Sequence, residues 1–278
     1  MRYAVNVPNF APYDDPRAVA DLARAAEAAG WDGLFVWDHA TFVKADARPI
    51  ADPWVVLTAV ALATERLRIG PIVTPLARRR MSVLARQSTT VDRLSGGRLV
   101  QGVGLGWPVE DEFGAWGETT DRRALAAKLD ESLEVLTRLW SGEEVTHRGA
   151  HLTVEGVRFR PTPLQRPRIP VWVAGEHPKA APLRRAARWD GYVPIMPDLA
   201  DPLTPERTAE MSAALAAARP ADAGPVDLVV SGSTASPAEA AELAGAHEDA
   251  GATWWQEGFD PWADAPDRFR ARVEAGPV

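Results

Sequence analysis

Several prolines in this chain directly follow a helix-capping residue with a short side-chain oxygen, in the pairs Asp15-Pro16, Asp52-Pro53, Thr204-Pro205 and Ser236-Pro237. At the first turn of a helix the missing proline N–H costs nothing, and the preceding oxygen satisfies an orphan backbone donor. Each pair therefore predicts a helix start. After Pro16, apolar residues recur at Val19, Leu22, Ala26 and Ala29, which is helical spacing, and Gly30 supplies the stop. Ser236 with Glu239 three positions on adds a capping box.

The segment after each helix is equally regular. A break and a brief apolar strand recur in EAAGWDGLFVWD, RAARWDGYVPIM and EDAGATWWQEGF, an internal repetition of one unit. Strands are expected near 3–8, 33–37, 67–74, 98–104, 170–175, 191–196, 226–231 and 252–257, each leading into a helix. Eight strand-helix units with apolar strands predict a parallel sheet covered by helices, and in a chain of 278 residues they match a closed (β/α)8 TIM barrel. An open doubly wound sheet is the alternative. No linker rich in Gly, Ser or charge divides the chain, so residues 1–278 are expected to form a single domain. Two stretches leave the repeat, at 106–121 and, longer and dense in Pro and Arg, at 141–169. Segments of that length are commonly lids or binding loops.

Composition excludes several function classes. With no cysteine there is no disulfide, thiolate nucleophile or cysteine-ligated metal. A net charge of −7 without a basic block argues against nucleic acid or an acidic membrane as a partner. The N-terminal MRYAVNVPNF lacks the pattern of a signal peptide, and no apolar run is long enough to cross a bilayer, so a cytoplasmic protein is expected. HExxH, G-x-S-x-G and P-loop motifs are all missing, and His147 and His151 fall in a segment that does not read as helix. No metal site is expected; those two histidines read as solvent-facing, and His247 as a structural residue on a surface helix.

In such a barrel, chemistry sits at the C-terminal ends of the strands. Strand two ends in Trp37-Asp38-His39, where His39 is placed to shuttle a proton or contact a bound ring and Asp38 to orient it. The other reading is an Asp-His pair that ties down a loop. Strand three, LRIGPIVTPL, carries Gly70, Pro71 and Pro75, poor strand chemistry that suggests a bulge or the close approach of a ligand. Arg78-Arg79-Arg80 after it either hold a phosphate or carboxylate or form a solvated helix edge. Strand four leads into Gly102-Val103-Gly104-Leu105-Gly106-Trp107, glycines that let a planar ligand or phosphate near the backbone, but without the Rossmann spacing. Strand five ends in Ala174-Gly175-Glu176-His177-Pro178, read either as a phosphate cradle at a helix start or as a plain turn.

The ordered set AAGWDGLFVWDH, IGPIVTPLARR, DRLSGGRLVQGVGLGW, PRIPVWVAG and RAARWDGYVPI resembles the luciferase-like monooxygenase superfamily over roughly residues 3–260. The resemblance implies a (β/α)8 oxidoreductase that uses FMN or the deazaflavin coenzyme F420 on a small organic substrate, with or without oxygen insertion. It implies His39 and Asp38 as the catalytic pair, beside the reactive face of the ring. Ile72, Val73 and Thr74 would form a bulge, often with a non-prolyl cis peptide, that backs the ring. Gly104, Gly106 and Trp107 would lie along the cofactor, and Ala174, Gly175, Glu176 and His177 would take its phosphate. A homodimer is implied by the same likeness. One departure is that only 231–236 separates the seventh strand from its helix, where the luciferases proper carry a long mobile loop. A flavin-binding protein without turnover, and a barrel that binds a phosphorylated metabolite, are the other functions considered.

Overall fold

The computed structural model describes residues 1–196 and 202–278. Its core alternates strand and helix in chain order. Strands β1 (Arg2–Val7), β2 (Gly33–Val36) and β3 (Arg68–Pro71) are followed by the two-residue β4 (Thr74–Pro75), then β5 (Gln101–Gly104). The antiparallel hairpin of β6 (Glu144–Arg148) and β7 (Thr153–Arg158) stands apart, and β8 (Val171–Glu176), β9 (Gly191–Ile195), β10 (Asp227–Gly232) and β11 (Trp254–Gly258) complete the sheet. The principal helices are α1 (Pro16–Ala28), α2 (Pro53–Ala63), α3 (Met81–Leu94), the single turn α4 (Val109–Glu112), and α5 (Arg122–Ser141). After them come α6 (Ala180–Ala186), α7 (Pro205–Ala218), α8 (Pro237–Asp249) and α9 (Pro266–Glu274).

The four proline-preceding residues do what their chemistry requires. Asp15, Asp52, Thr204 and Ser236 are N-caps, each accepting from a backbone N–H in the first turn, with proline next. In the hydrogen-bonded order β3-β2-β1-β11-β10-β9-β8-β5-β4 every neighbouring pair is parallel. The two ends of that order, β3 and β4, are halves of one interrupted strand, so eight barrel positions close on themselves. β3 also meets the run into β5 directly: Val100 N–H donates to Ile69 O at 2.8 Å, and Ile69 N–H to Arg98 O at 3.1 Å. The TIM barrel is the observed fold, and the open sheet is excluded.

Side chains alternate across the barrel wall. Ala4, Phe35, Ile72, Val100, Trp172, Ala174, Val193, Val229 and Trp254 fill the interior, while a larger apolar layer joins the sheet to the helices. Burial of that layer supplies the main stabilisation.

Three expectations change. The 141–169 excursion is not plain loop: it holds the β6–β7 hairpin, whose alternation breaks at a register shift between Val145 and His147. His147 is not solvent-facing either; its Nε2 lies 3.0 Å from Glu131 Oε1 and its side chain is only 11% exposed. His247 is on a helix but buried, with Nδ1 2.9 Å from Thr208 Oγ1. Among the described residues, no helix is long and apolar enough to cross a membrane, and no group of His, Asp or Glu is arranged to hold a metal.

Candidate active site at the barrel mouth

His39 stands three residues past the end of β2, at the C-terminal end of the barrel. Its Nδ1 lies 3.2 Å from Oε1 of Glu112, the last residue of α4. Glu112 is completely buried. Its carboxylate accepts from the backbone N–H groups of Ala40 (3.1 Å), Thr41 (3.1 Å) and Phe42 (2.6 Å), and is ion-paired with Arg78. The loop after β2 is thus wrapped around one carboxylate.

Asp38 is also buried, but it serves another partner: it accepts from Arg78 and Arg79. Arg78 therefore bridges Asp38 and Glu112, and the carboxylate that orients the His39 ring is Glu112 rather than the adjacent Asp38. The arginine run does hold carboxylates, though they are the protein's own. Arg80 is exposed, as a solvated edge would be.

Burial pushes the His39 imidazole down to about 4, with the Arg78 charge adding to the effect and Asp38 opposing it. The Glu112 contact would act in the opposite sense, but that carboxylate is already engaged by Arg78 and three amides. His39 is neutral near pH 7. A neutral ring with Nδ1–H donating to Glu112 leaves Nε2 as the proton acceptor. His39 lines a cavity of about 560 Å3 together with Asp52, Arg78, Arg79, Trp116 and Glu118, among others. None of the other predicted site residues borders this cavity.

The third strand breaks where expected, and the Ile72-Val73 peptide is cis. Ile72 is buried in the barrel interior, while Val73 packs on that cluster and stays partly exposed. Thr74 is fully buried, and its register with Val103, which belongs to the layer beneath the helices, turns its side chain away from the interior. The approach that requires the glycines is that of one strand to another. A Cβ on Gly70 would lie 2.0 Å from Val100 O, one on Gly102 2.1 Å from Pro71 O, and one on Gly104 2.6 Å from Val73 Cγ2. Gly106 has φ +88° and faces Pro75 and Phe113, and Trp107 beyond it is 59% exposed, 6.2 Å from the ring of Phe42.

At the end of β8, Ala174 belongs to the interior, and Gly175 leaves room for Pro182 of α6, since a Cβ there would lie 2.0 Å from Pro182 Cβ. Glu176 is paired with Lys179 and with Arg122 at 2.7 Å, and Lys179 above all holds its carboxyl below the usual range. The His177 N–H donates to Ile195 O at 3.0 Å, so that amide is not free for a phosphate. The structure brings Asp38 and His39 together with Arg78, Arg79 and Glu112. It leaves the 174–177 segment at the separate mouth of β8.

A parallel barrel with a half-buried, carboxylate-oriented histidine at its mouth defines a class of (β/α)8 proteins equipped for proton chemistry on a bound group. The chain belongs to the luciferase-like monooxygenase family, whose model matches residues 1–275. It is similar to F420-dependent glucose-6-phosphate dehydrogenase of Nakamurella multipartita, 34% identical over 184 residues that cover 64% of this chain and 52% of that protein. The corresponding enzyme of Mycolicibacterium fortuitum is 31% identical over 200 residues, 69% of this chain and 56% of the relative. The chain thus spans about half the length of the curated relatives it matches. Among solved structures, F420-dependent tetrahydromethanopterin reductase from Methanopyrus kandleri has a TM-score of 0.77 at 16% identity, covering 100% of this chain and 98% of its own. The FMN-bound oxygenating component of 3,6-diketocamphane monooxygenase from Pseudomonas putida reaches 0.76 at 15%, covering 100% and 98%. At these identities the structural likeness speaks for the fold alone.

Proposed function

We propose that this protein is an oxidoreductase that binds coenzyme F420 at the barrel mouth and moves a hydride between it and a small organic substrate. The observation that carries the reading is the neutral, half-buried His39 oriented by Glu112 at the C-terminal end of β2. The identity of the curated relatives favours F420 over FMN. The short 233–236 connection between β10 and α8 favours hydride transfer over oxygen insertion, since it provides no long cover there.

The residues present fit a planar ring. Val73, partly exposed on the apolar interior cluster, offers it a wall, and His39 offers an uncharged edge. Ile72, Val73, Gly104, Gly106 and Trp107 would hold the ring. When bound, the cofactor supplies the hydride acceptor or donor. The chain's part is proton handling and positioning. His39 Nε2 takes a proton from a substrate hydroxyl as a carbonyl forms, or returns it in the reverse direction, while Glu112 keeps the tautomer. Arg78 pairs with both Asp38 and Glu112 and Arg79 with Asp38, and the Glu112 contact steadies the ring.

Titration of the purified protein with F420 and with FMN, followed by absorbance, tests the reading. Saturable binding of F420 is expected, and binding of neither cofactor refutes it. His39→Ala should keep the fold and lose cofactor-dependent turnover. A homodimer belongs to the same proposal: α2 leaves Val55 (57%) and Leu62 (70%) exposed, with Val83 (50%) on α3, an apolar surface suited to a second copy.

A further inference from the structure

We propose that Asn6, Gln256 and Ser231 form a subsite for an uncharged hydroxyl group of the substrate, separate from the reacting oxygen at His39. Three adjacent strands contribute one residue each: Asn6 near the end of β1, Gln256 near the end of β11, Ser231 near the end of β10. All three share the inward parity of their strands, with Ala4, Trp254 and Val229 two residues earlier in the interior cluster. They therefore lie on the inner wall at the mouth end of the barrel.

Gln256 Oε1 accepts from Asn6 Nδ2 and from Ser231 Oγ, both at 3.2 Å. Asn6 Oδ1 and Gln256 Nε2 have no partner, although Asn6 is only 9% exposed and Gln256 fully buried. A buried acceptor and a buried donor are thus left open within one hydrogen-bonded cluster. Turning both amides over exchanges their places and still leaves one of each. Unsatisfied buried polar groups cost free energy, and such a pair in a native barrel needs an explanation. A hydroxyl group satisfies both at once, since it donates and accepts. Ser231 is exposed, so the buried pair adjoins open space rather than solid core.

The charge around the mouth points to a neutral ligand. Arg78 and Arg79 are balanced by Asp38 and Glu112, while Arg122 and Lys179 share Glu176 at the separate mouth of β8. Amides carry no titrating proton, so this subsite binds and orients while His39 handles the proton. That division rests on the function proposed above.

Cyclohexanol, trans-cyclohexane-1,2-diol and glucose 6-phosphate serve as probes, read by saturation-transfer NMR and thermal shift on the protein with and without F420. The diol is expected to bind the wild type saturably and more tightly than glucose 6-phosphate. Asn6→Leu and Gln256→Met should each weaken the diol about tenfold, the effect of one or two lost hydrogen bonds. Both should bind F420 as the wild type does; Asn6→Leu should lose little stability, because Gln256 Oε1 keeps Ser231, whereas Gln256→Met also strips Asn6 Nδ2 of its acceptor and should be the less stable of the two. Ser231→Ala, at an exposed position, should weaken the diol several-fold and keeps the test readable if an apolar replacement fails to fold. No diol binding by the wild type, equal binding by the variants, or tighter binding of glucose 6-phosphate overturns the proposal. Failure of F420 to bind would refute the cofactor reading instead, and diol binding to the free protein would still test the subsite.

Discussion

Glu112→Gln is the most direct test of how the mouth is held together. The substitution preserves shape and hydrogen-bonding length, but it removes a charge at a fully buried position. One side-chain oxygen becomes an NH2 group. That group must then face the amides of Ala40, Thr41 and Phe42 or the guanidinium of Arg78, all of which are donors. Whichever way the amide turns, one donor meets another, and Arg78 keeps only Asp38 for charge balance. Breaking a buried ion pair by removing one partner costs about 3–5 kcal/mol. In a domain of this size each kcal/mol moves Tm by roughly 2–4 °C, so a fall of about 10 °C is expected. Calorimetry measures it, and hydrogen exchange followed by mass spectrometry should show the 40–42 amides losing protection locally. A Tm within about 2 °C of wild type, with unchanged protection of those amides, would show that Glu112 does not organise the loop.

Other expectations rest on the same geometry. The His39 imidazole is depressed to about 4 from its ordinary 6.5, so between those values the unfolded chain takes up a proton that the folded one refuses. Stability is therefore fully present above pH 6.5 and is lost as pH falls towards 4, by about 3 kcal/mol in all. Urea unfolding at pH 7.5 and pH 4.5, compared with His39→Gln, isolates this contribution; equal pH dependence in the two proteins would exclude His39 as its source. Gly102→Ala places a methyl group 2.1 Å from Pro71 O, a backbone clash worth about 3 kcal/mol or more, which soluble expression and Tm will report. Leu62→Glu should leave Tm of the protomer nearly unchanged and shift sedimentation velocity towards monomer; a species unchanged in size would separate α2 from the interface.

Much of the barrel was readable from local chemistry. The capped prolines marked four helices because a cap and its proline act within one turn, and the apolar runs marked strands because a strand buried on both faces must be apolar throughout. The hairpin at 144–158 escaped because it lies outside the repeat and its exposed positions carry no clean alternation. Glu112 escaped for a different reason. In VEDEF it is one of three neighbouring acids, and nothing local distinguishes the one that Arg78, 34 residues earlier, will bury. Gly70 in strand three and the glycines at strand four read as marks of a ligand's close approach, but only the register of β3 against β5 shows that a strand is what approaches. The tryptophans divide by place: Trp172 and Trp254 fill the barrel interior, while Trp107, Trp116 and Trp262 stand exposed in loops after β5 and β11.

The broken third strand closes the circle of the sheet and also packs Val73 against the interior cluster. One short run of chain, 70–75, is therefore at once a keystone and, in the function proposed above, a wall. Its position is dictated by carbonyls that would touch any side chain larger than hydrogen at Gly70 or Gly102. A change that reshapes this wall for a different guest must also disturb the closure of the ring. Variation in what the protein accepts is consequently channelled to the loops after β2, β5 and β11, which can be rebuilt while the barrel stays shut.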